Sequence, residues 1–492
     1  EIGVRLVGSE MCIRDSAIVD GLRERISARS GDRLAPEQKR RERVPIPLSV
    51  ERSPYFCSGC PHNWSTKVPD DARVGAGIGC HMMVLLMDED RVGSTIGMTA
   101  MGNEGAPWIG MAPFVDRRHF TQNMGDGTFF HSGQLAIQAA VAAGVTVTYK
   151  VLYNGTVAMT GGQPMDGPLD VAAIAKQLHA EGVKRIAIVS DEPGKYSADS
   201  QWPPNITFHE RHDMDALQRK LREHTNVSAL IYDQTCAAEK RRRRKRGTFP
   251  NPAKRIFINE LVCEGCGNCG VTSNCVSIIP KETELGRKRA IDQSNCNKDF
   301  TCIDGFCPSF VSVHGAEPRK PKIEPAHSAI SNSFASLPDP IPASSQAPYA
   351  IVIGGIGGTG VVTISAILAM AAHIEDKGVT VLDVAGLAQK NGAVYAHVRI
   401  CDDRDKLHSV RIAAGGANLL LGCDMVTSGV AETLSRLQEG NSRAVVNLHK
   451  TMTAEFTRDP DLDFPMRRLK LAIDAAVGID ENGEPGLSLI HI

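Results

Sequence analysis

Between Ser53 and about Phe249, short apolar runs alternate with stretches whose apolar residues recur every three or four positions. VTVTYKVLYN (145–154), RIAIVSD (185–191) and SALIYD (228–233) read as strands, and GQLAIQAAVAAG (133–144) reads as one of the helices between them. Strands separated by helices predict a parallel α/β sheet. From Ile256 to about Gly315 the periodicity lapses and cysteines crowd together. Residues 317–347 are rich in Pro, Ser and Ala and read as a linker. Past them YAIVIGGIGGTGVVTISAILAMAA (349–372) opens a second α/β unit. The expected plan is a polar, arginine-rich arm over 17–52, an α/β domain over 53–250, a cysteine-dense domain over 251–316, the linker, and a second α/β domain over 348–486.

The two ends break the pattern. VRLVGSEMCIRDS (4–16) and LSLIHI (487–492) resemble translated sequencing-adapter reads. Residues 1–16 and 487–492 are therefore expected to be foreign, and the chain to be an internal fragment.

A length of 492 residues suits three or four domains. With 55 basic and 56 acidic residues the net charge is -1, so no global field draws the chain to nucleic acid or an anionic membrane. Without an apolar run of about 18 residues or signal-peptide regions, a cytoplasmic protein is expected. The 14 cysteines, mostly clustered, suit metal or redox chemistry better than a disulfide framework.

In CEGCGNC (263–269) the spacing C-x2-C-x2-C lets three thiolates, Cys263, Cys266 and Cys269, converge on one iron-sulfur cluster. A distant Cys-Pro usually supplies the fourth ligand, and Cys307-Pro308 qualifies. Zinc, the main rival, favours two separated C-x2-C pairs. Cys275, Cys296 and Cys302 remain for a second [4Fe-4S] cluster. Seven thiols are one short of two full sets, so the second cluster takes another ligand or is absent.

MGDGTFFHSG (124–133) places Gly125-Asp126-Gly127 after a strand and before a helix expected near His131, and Asn154 follows Asp126 by 28 residues. This spacing resembles the thiamine diphosphate motif. Mg²⁺ wants oxygen ligands, which the Asp126 carboxylate, the Asn154 side chain and the Thr156 carbonyl can offer. The glycines admit phosphates to the backbone, and a helix N-terminus favours them.

A third set comprises Cys57 and Cys60 in FCSGCPHN, Cys80 in GIGCH, and Cys236. A C-x2-C alone can be a dithiol pair, and lone cysteines can be buried hydrophobes. The combination of C-x2-C-P-H, G-I-G-C, GDG, Asn154, TGGQ and a later cysteine resembles the thiamine subunit of 2-oxoacid:ferredoxin oxidoreductases. With a ferredoxin-like insert and a terminal glycine-rich γ-type domain, the order over 17–486 resembles the fused bacterial indolepyruvate branch of that family. The resemblance implies a relay [4Fe-4S] cluster on Cys57, Cys60, Cys80 and Cys236, with His62 beside the cofactor. It also implies oxidative decarboxylation of an arylpyruvate, with coenzyme A taking the acyl group and ferredoxin the electrons. The implied assembly is a homodimer whose pyrimidine-binding domain lies upstream of Ala17, so the fragment alone is expected to be inactive. Non-redox thiamine decarboxylases or carboligases would lack a use for the cysteine block, and an electron-transfer module would lack a use for Asp126 and Asn154.

Two further motifs carry less. Gly355-x-Gly357-x-x-Gly360, with Asp383 ending the next strand, matches a dinucleotide fingerprint. The γ domain of the family carries such a turn without nicotinamide chemistry, which favours a tight turn here. The run Lys240 to Arg246 reads as a solvated face, or as a surface for an acidic ferredoxin or a neighbouring domain. Cys401 and Cys423 sit in apolar surroundings and read as packing residues.

Overall fold

The computed structural model describes residues 50–165, 167, 169–196, 201–315, 343–385, 391–479, 483 and 485–490. The chain divides into Glu1–Pro47, outside those residues, and Leu48–Ile492, to which everything below belongs. The expected adapter segment at 1–16, nearly all of the arm and most of the linker therefore lie outside the described residues.

Seven strands form the first sheet: β1 (Arg73–Ala76), β2 (Ser94–Met98), β3 (Phe120–Gly125), β4 (Val147–Tyr153), β5 (Arg185–Ser190), β6 (Thr207–Glu210) and β7 (Val227–Asp233). Their order is β2-β1-β3-β4-β7-β5-β6, and every pairing is parallel. The central strands β3, β4 and β7 are buried along nearly their whole length, as strands of a parallel sheet covered on both faces are. Helices α1 (Gln134–Ala143) and α2 (Val171–Ala180) cover one face, packing Ile137, Ile174 and Leu178 against Tyr149, Val151 and Ile186. Asp170 starts α2 by accepting the backbone N–H of Ala173 at 2.7 Å. Helix α3 (Met214–Arg222) covers the other face through Leu217 and Leu221 against Leu152, Leu230 and Tyr232. After β7 comes α4 (Ala237–Lys245), which holds most of the basic run.

The cysteine-dense insert is two antiparallel ribbons. β8 (Lys254–Ile258) pairs with β11 (Phe310–His314), and β9 (Ile278–Thr283) with β10 (Gly286–Ile291). Ribbons this small bury little on their own, and neighbours hold them. Arg211 meets Asp299 at 3.4 Å from the first domain. Arg287 and Arg289 donate to the carbonyls of Leu462 and Pro460, at 2.9 Å each, in the last.

The second sheet is mixed, in the order β13-β14-β12-β15-β16-β17. β12 (Tyr349–Ile356) runs antiparallel to β14 (Ala393–Cys401), which is antiparallel to β13 (Gly378–Val384). On its other side β12 is parallel to β15 (Leu419–Gly422), followed by β16 (Arg443–Asn447) and β17 (Leu487–Ile490). Helix α5 (Val361–Ile374) contacts the β12–β14 side, and α6 (Met466–Val477) contributes Leu469 and Ile473 to the core with Val352 and Leu420. Leu487–Ile490, expected to be foreign, forms the edge strand. Arg52, assigned to the arm, lies inside this domain, its guanidinium 2.6 Å from Asp424 in a buried ion pair.

Candidate functional site

In a parallel sheet all strands end on one side, and there the chain gathers its polar loops. The residues following β1, β3, β4 and β7 are Gly77–Cys80, Asp126, Asn154–Thr156 and Gln234–Cys236, and these strands are adjacent in the sheet. Four segments spread over 160 positions of sequence therefore meet at one edge.

Asp126 is buried, and its carboxylate is fixed by three backbone donors. Oδ1 accepts from Gly127 at 2.9 Å, and Oδ2 from Asn154 at 2.9 Å and Gly155 at 2.8 Å. Burial pushes its pKa up to about 6, against the lowering effect of those N–H groups. Asn154 Oδ1 accepts the Thr156 N–H at 3.2 Å, and Thr156 Oγ1 donates to the Gln163 carbonyl at 2.9 Å. The helical stretch starts at Asp126, not near His131. A single turn at Asp126–Thr128 passes through a π turn at Phe129–Gly133 into α1. A π turn is a local irregularity that recurs at functional sites.

Cys57, Cys60, Cys80 and Cys236 line one pocket with Phe56, His62 and Asn154. The backbone N–H of Cys236 donates to the Asn154 carbonyl at 3.2 Å, tying this pocket to the Asp126 turn. Burial raises the Cys60 thiol well above its ordinary pKa, and the charges of the other three add to that. An electropositive cluster would relieve the same repulsion. His62 lines the pocket too, with Nδ1 3.2 Å from Ser65 Oγ. Burial, with smaller contributions from His81 and Lys150, lowers its pKa to about 3, so the ring is neutral.

The insert brings its thiols together in two places. Cys275, Cys296 and Cys302 line one pocket with Ser58 and Gly59, the middle of the Cys57–Cys60 loop. Ser58 Oγ lies 3.6 Å from Cys275 Sγ. Cys263 and Cys266 are electrostatic neighbours of Cys269, whose thiol burial raises to about 11. Exposed Cys307 reaches that corner through the backbone. Its Sγ is 3.0 Å from Ser309 Oγ, the Ser309 carbonyl accepts from Asn259 at 2.8 Å, and the Asn259 carbonyl accepts from Cys263 at 2.9 Å. Among the described residues no three His, Cys, Asp or Glu side chains close on a single metal ion. An oxygen site with one carboxylate contains only one such residue, and a cubane spreads its ligands around a larger body than one ion.

Two family models match the chain. Residues 77–192 match the C-terminal TPP-binding domain of thiamine pyrophosphate enzymes, and residues 350–475 match pyruvate ferredoxin/flavodoxin oxidoreductase. The indolepyruvate oxidoreductase subunit IorA of Archaeoglobus fulgidus is 28% identical over 276 residues, 52% of this chain and 39% of that protein. Subunit IorB of the same organism is 34% identical over 119 residues, 23% of this chain and 55% of that protein. These matches together support membership of the 2-oxoacid:ferredoxin oxidoreductase family. It spans less than half the length of the IorA relatives, 44% of the one from Methanothermobacter thermautotrophicus, which is 27% identical over 59% of this chain. A solved 2-oxoglutarate:ferredoxin oxidoreductase from Magnetococcus marinus overlays loosely, with a TM-score of 0.29 and 18% identity over 43% of this chain and 72% of that one. That overlay adds nothing to the family assignment.

The remaining motifs resolve into contacts within the chain. Asp383 Oδ1 accepts from Ser365 Oγ at 2.9 Å, joining β13 to α5. Several cations of α4 are engaged: Lys240 with Asp191 at 3.2 Å, Arg242 with Glu239 and the Gly161 and Gly162 carbonyls, and Arg244 with the Asn297 carbonyl at 2.7 Å. The basic run thus clamps the TGGQ loop and the insert. Cys401 is fully buried, and Cys423 packs against Gly355. Three residues had no sequence signal of their own: His81, which packs on Gly125, and the fully buried pair Asn123 and Lys150. His81 was visible only as the neighbour of Cys80. No helix among the described residues is long and apolar enough to cross a membrane.

Proposed function

We propose that this chain is the thiamine, ferredoxin-like and γ-type portion of an enzyme that oxidatively decarboxylates an arylpyruvate. Ferredoxin takes the electrons and coenzyme A the acyl group. The observation that carries the proposal is the contact between Cys236 and Asn154. It puts a prospective cluster ligand beside a prospective Mg²⁺ ligand, a juxtaposition that neither a non-redox thiamine enzyme nor a bare electron carrier needs. The arylpyruvate class rests on relatives named for indolepyruvate, one an IorA subunit and one an IorB, both matched by this single chain.

Asp126, Asn154 and the Thr156 carbonyl would hold Mg²⁺, with the N–H groups on Asp126, one on Oδ1 and two on Oδ2, leaving Oδ1 a lone pair for it. Gly125 and Gly127 present bare backbone to a diphosphate at a helix start. Cys57, Cys60, Cys80 and Cys236 would hold the relay cluster. Cys275, Cys296 and Cys302 would hold a second behind the same loop, and Cys263, Cys266, Cys269 and Cys307 a third near the surface. When bound, the thiazolium serves as the electron sink for loss of CO2. Neutral His62 and buried Phe56 wall the cysteine pocket.

Iron, sulfide and thiamine quantitation on anaerobically purified protein tests the proposal. More than about four irons per chain are expected, since each cubane holds four. Four or fewer would remove clusters from one of the two cysteine regions. Asp126→Asn should lose thiamine and keep iron, whereas Cys236→Ser should lose about four irons and keep thiamine. Arylpyruvates should exceed pyruvate in kcat/KM for the complete enzyme, and the reverse order would remove the substrate class.

A further inference from the structure

Behind the Asp126 turn lies a group of buried polar side chains short of protein partners. Asn123 and Lys150 are register partners on β3 and β4, so their side chains leave the sheet on one face. Both are 0% exposed. Lys150 Nζ donates to the Lys67 carbonyl at 3.1 Å, while Asn123 Oδ1 and Nδ2 have no partner. His81 Nε2 has none either, and its ring packs on Gly125, two residues beyond Asn123 on the same face. The His81 and His62 rings lie 5.9 Å apart. On the outer side Gln218 donates to the same Lys67 carbonyl at 3.1 Å, and its Oε1 is unpartnered. Lys67 and Gln218 line an open pocket of about 470 Å³.

Leaving a buried amide unpaired forfeits the hydrogen bonds it made to water, so such groups are normally met by protein or by ordered water. Apolar residues at positions 123 and 150 would satisfy the sheet without that cost. The series Gln218, Lys150, Asn123, His81 instead runs from an open pocket to the GDG turn.

We propose that these four residues line an internal water passage from the Lys67–Gln218 pocket to the Asp126 turn, and that it conducts the reaction's proton to solvent. The proposal rests on the thiamine assignment above. A 2-oxoacid anion and a thiol give a thioester, CO2, two electrons and one proton. The bond to the carboxylate breaks, a carbon-sulfur bond forms, the electrons go singly to the clusters, and the thiol proton is left over. Iron-sulfur clusters carry off the electrons and leave the proton behind. Hydrogen-bonded water anchored on fixed polar groups gives it a way out.

The test uses the cluster-loaded complete enzyme in weak buffer with a pH-indicator dye, mixed rapidly with an arylpyruvate and coenzyme A. Cluster bleaching and dye response should coincide in the unsubstituted enzyme. In Gln218→Leu the dye should lag bleaching by about tenfold or more, with iron content and melting temperature unchanged, and Gln218→Asn should restore part of the rate. Coincident signals in Gln218→Leu would overturn the passage. If that variant fails to fold, high-resolution diffraction of the unsubstituted protein decides. Water bonded to Asn123 and to His81 Nε2 supports the passage, and a dry site overturns it. Absence of bleaching in the unsubstituted enzyme would overturn the thiamine assignment itself, and the passage with it.

Discussion

Lys150 puts an amine in the middle of a parallel sheet, and burial lowers its pKa to about 7. The unfolded chain holds that proton to about 10.4. Below pH 7 both states are charged, and the fold bears the full cost of burying the ammonium. Between pH 7 and about 10.4 the unfolded state binds more protons, so this group's contribution to stability rises with pH. Lys150→Met should therefore raise the melting temperature most below pH 7, by several degrees for about 1 to 3 kcal/mol, and the gain should shrink toward pH 10. Thermal melts at pH 6 and 9 check this. An equal gain at both values would mean that the amine keeps its proton in the fold across that range. Residues of this kind were illegible in the sequence, because a lysine inside YKV looks like any strand residue. Asp126 and Asn154 were legible as a pair because their spacing resembles a thiamine diphosphate motif, and the fold joins them through the Asn154 N–H on Asp126 Oδ2. Cys80 and Cys236, 156 positions apart, could be joined only by resemblance.

At the scale of elements the apolar runs located β4, β5, β7 and α1 well. What they could not convey is direction: β12 looked like the first strand of a dinucleotide fold, yet β14 lies antiparallel beside it and Asp383 is engaged by Ser365. Net pairing was equally hidden, since a run of seven cations reads as solvent-facing until Asp191, Glu239 and the carbonyls of Gly161, Gly162 and Asn297 come within reach. The loop before Ala106 depends on one glycine. Gly105 has φ +89, and a Cβ there would sit 2.3 Å from the Tyr149 hydroxyl. That hydroxyl donates to the carbonyls of Glu104 and Ala136 at 3.1 and 3.2 Å. Gly105→Ala should cost about 1 to 3 kcal/mol through strain and the displaced tyrosine, read as a lower urea midpoint. An unchanged midpoint would show that the loop tolerates the side chain.

Across the whole molecule the two sheets and the insert are tied by contacts that do not run through the linker. Arg52 joins Asp424, Arg458 joins Asp88 at 2.7 Å, and Asn391 Nδ2 donates to the carbonyls of Tyr55 and Phe56 at 3.3 and 3.2 Å. The arm residue Arg52 was misplaced by the sequence pattern, because an arginine flanked by polar residues carries no sign of a buried carboxylate 372 positions away. A protease site engineered within 317–342 should yield two pieces that co-elute in gel filtration even at 1 M salt, since the Arg52–Asp424 pair is shielded from screening. Separation into two peaks would mean that the covalent link does the holding. Finally, Ser58 and Gly59 face the insert while their neighbours Cys57 and Cys60 face Cys236. Asn297 Nδ2 donates to the Ser58 carbonyl at 2.9 Å, and a Cβ at Gly59 would crowd the Cβ atoms of Asp299 and Asn297 at 3.0 and 3.1 Å. The loop is thus shaped from both sides at once, so a substitution at Asn297 should disturb the Cys57–Cys60 pocket although it lies 239 positions from Ser58 in sequence.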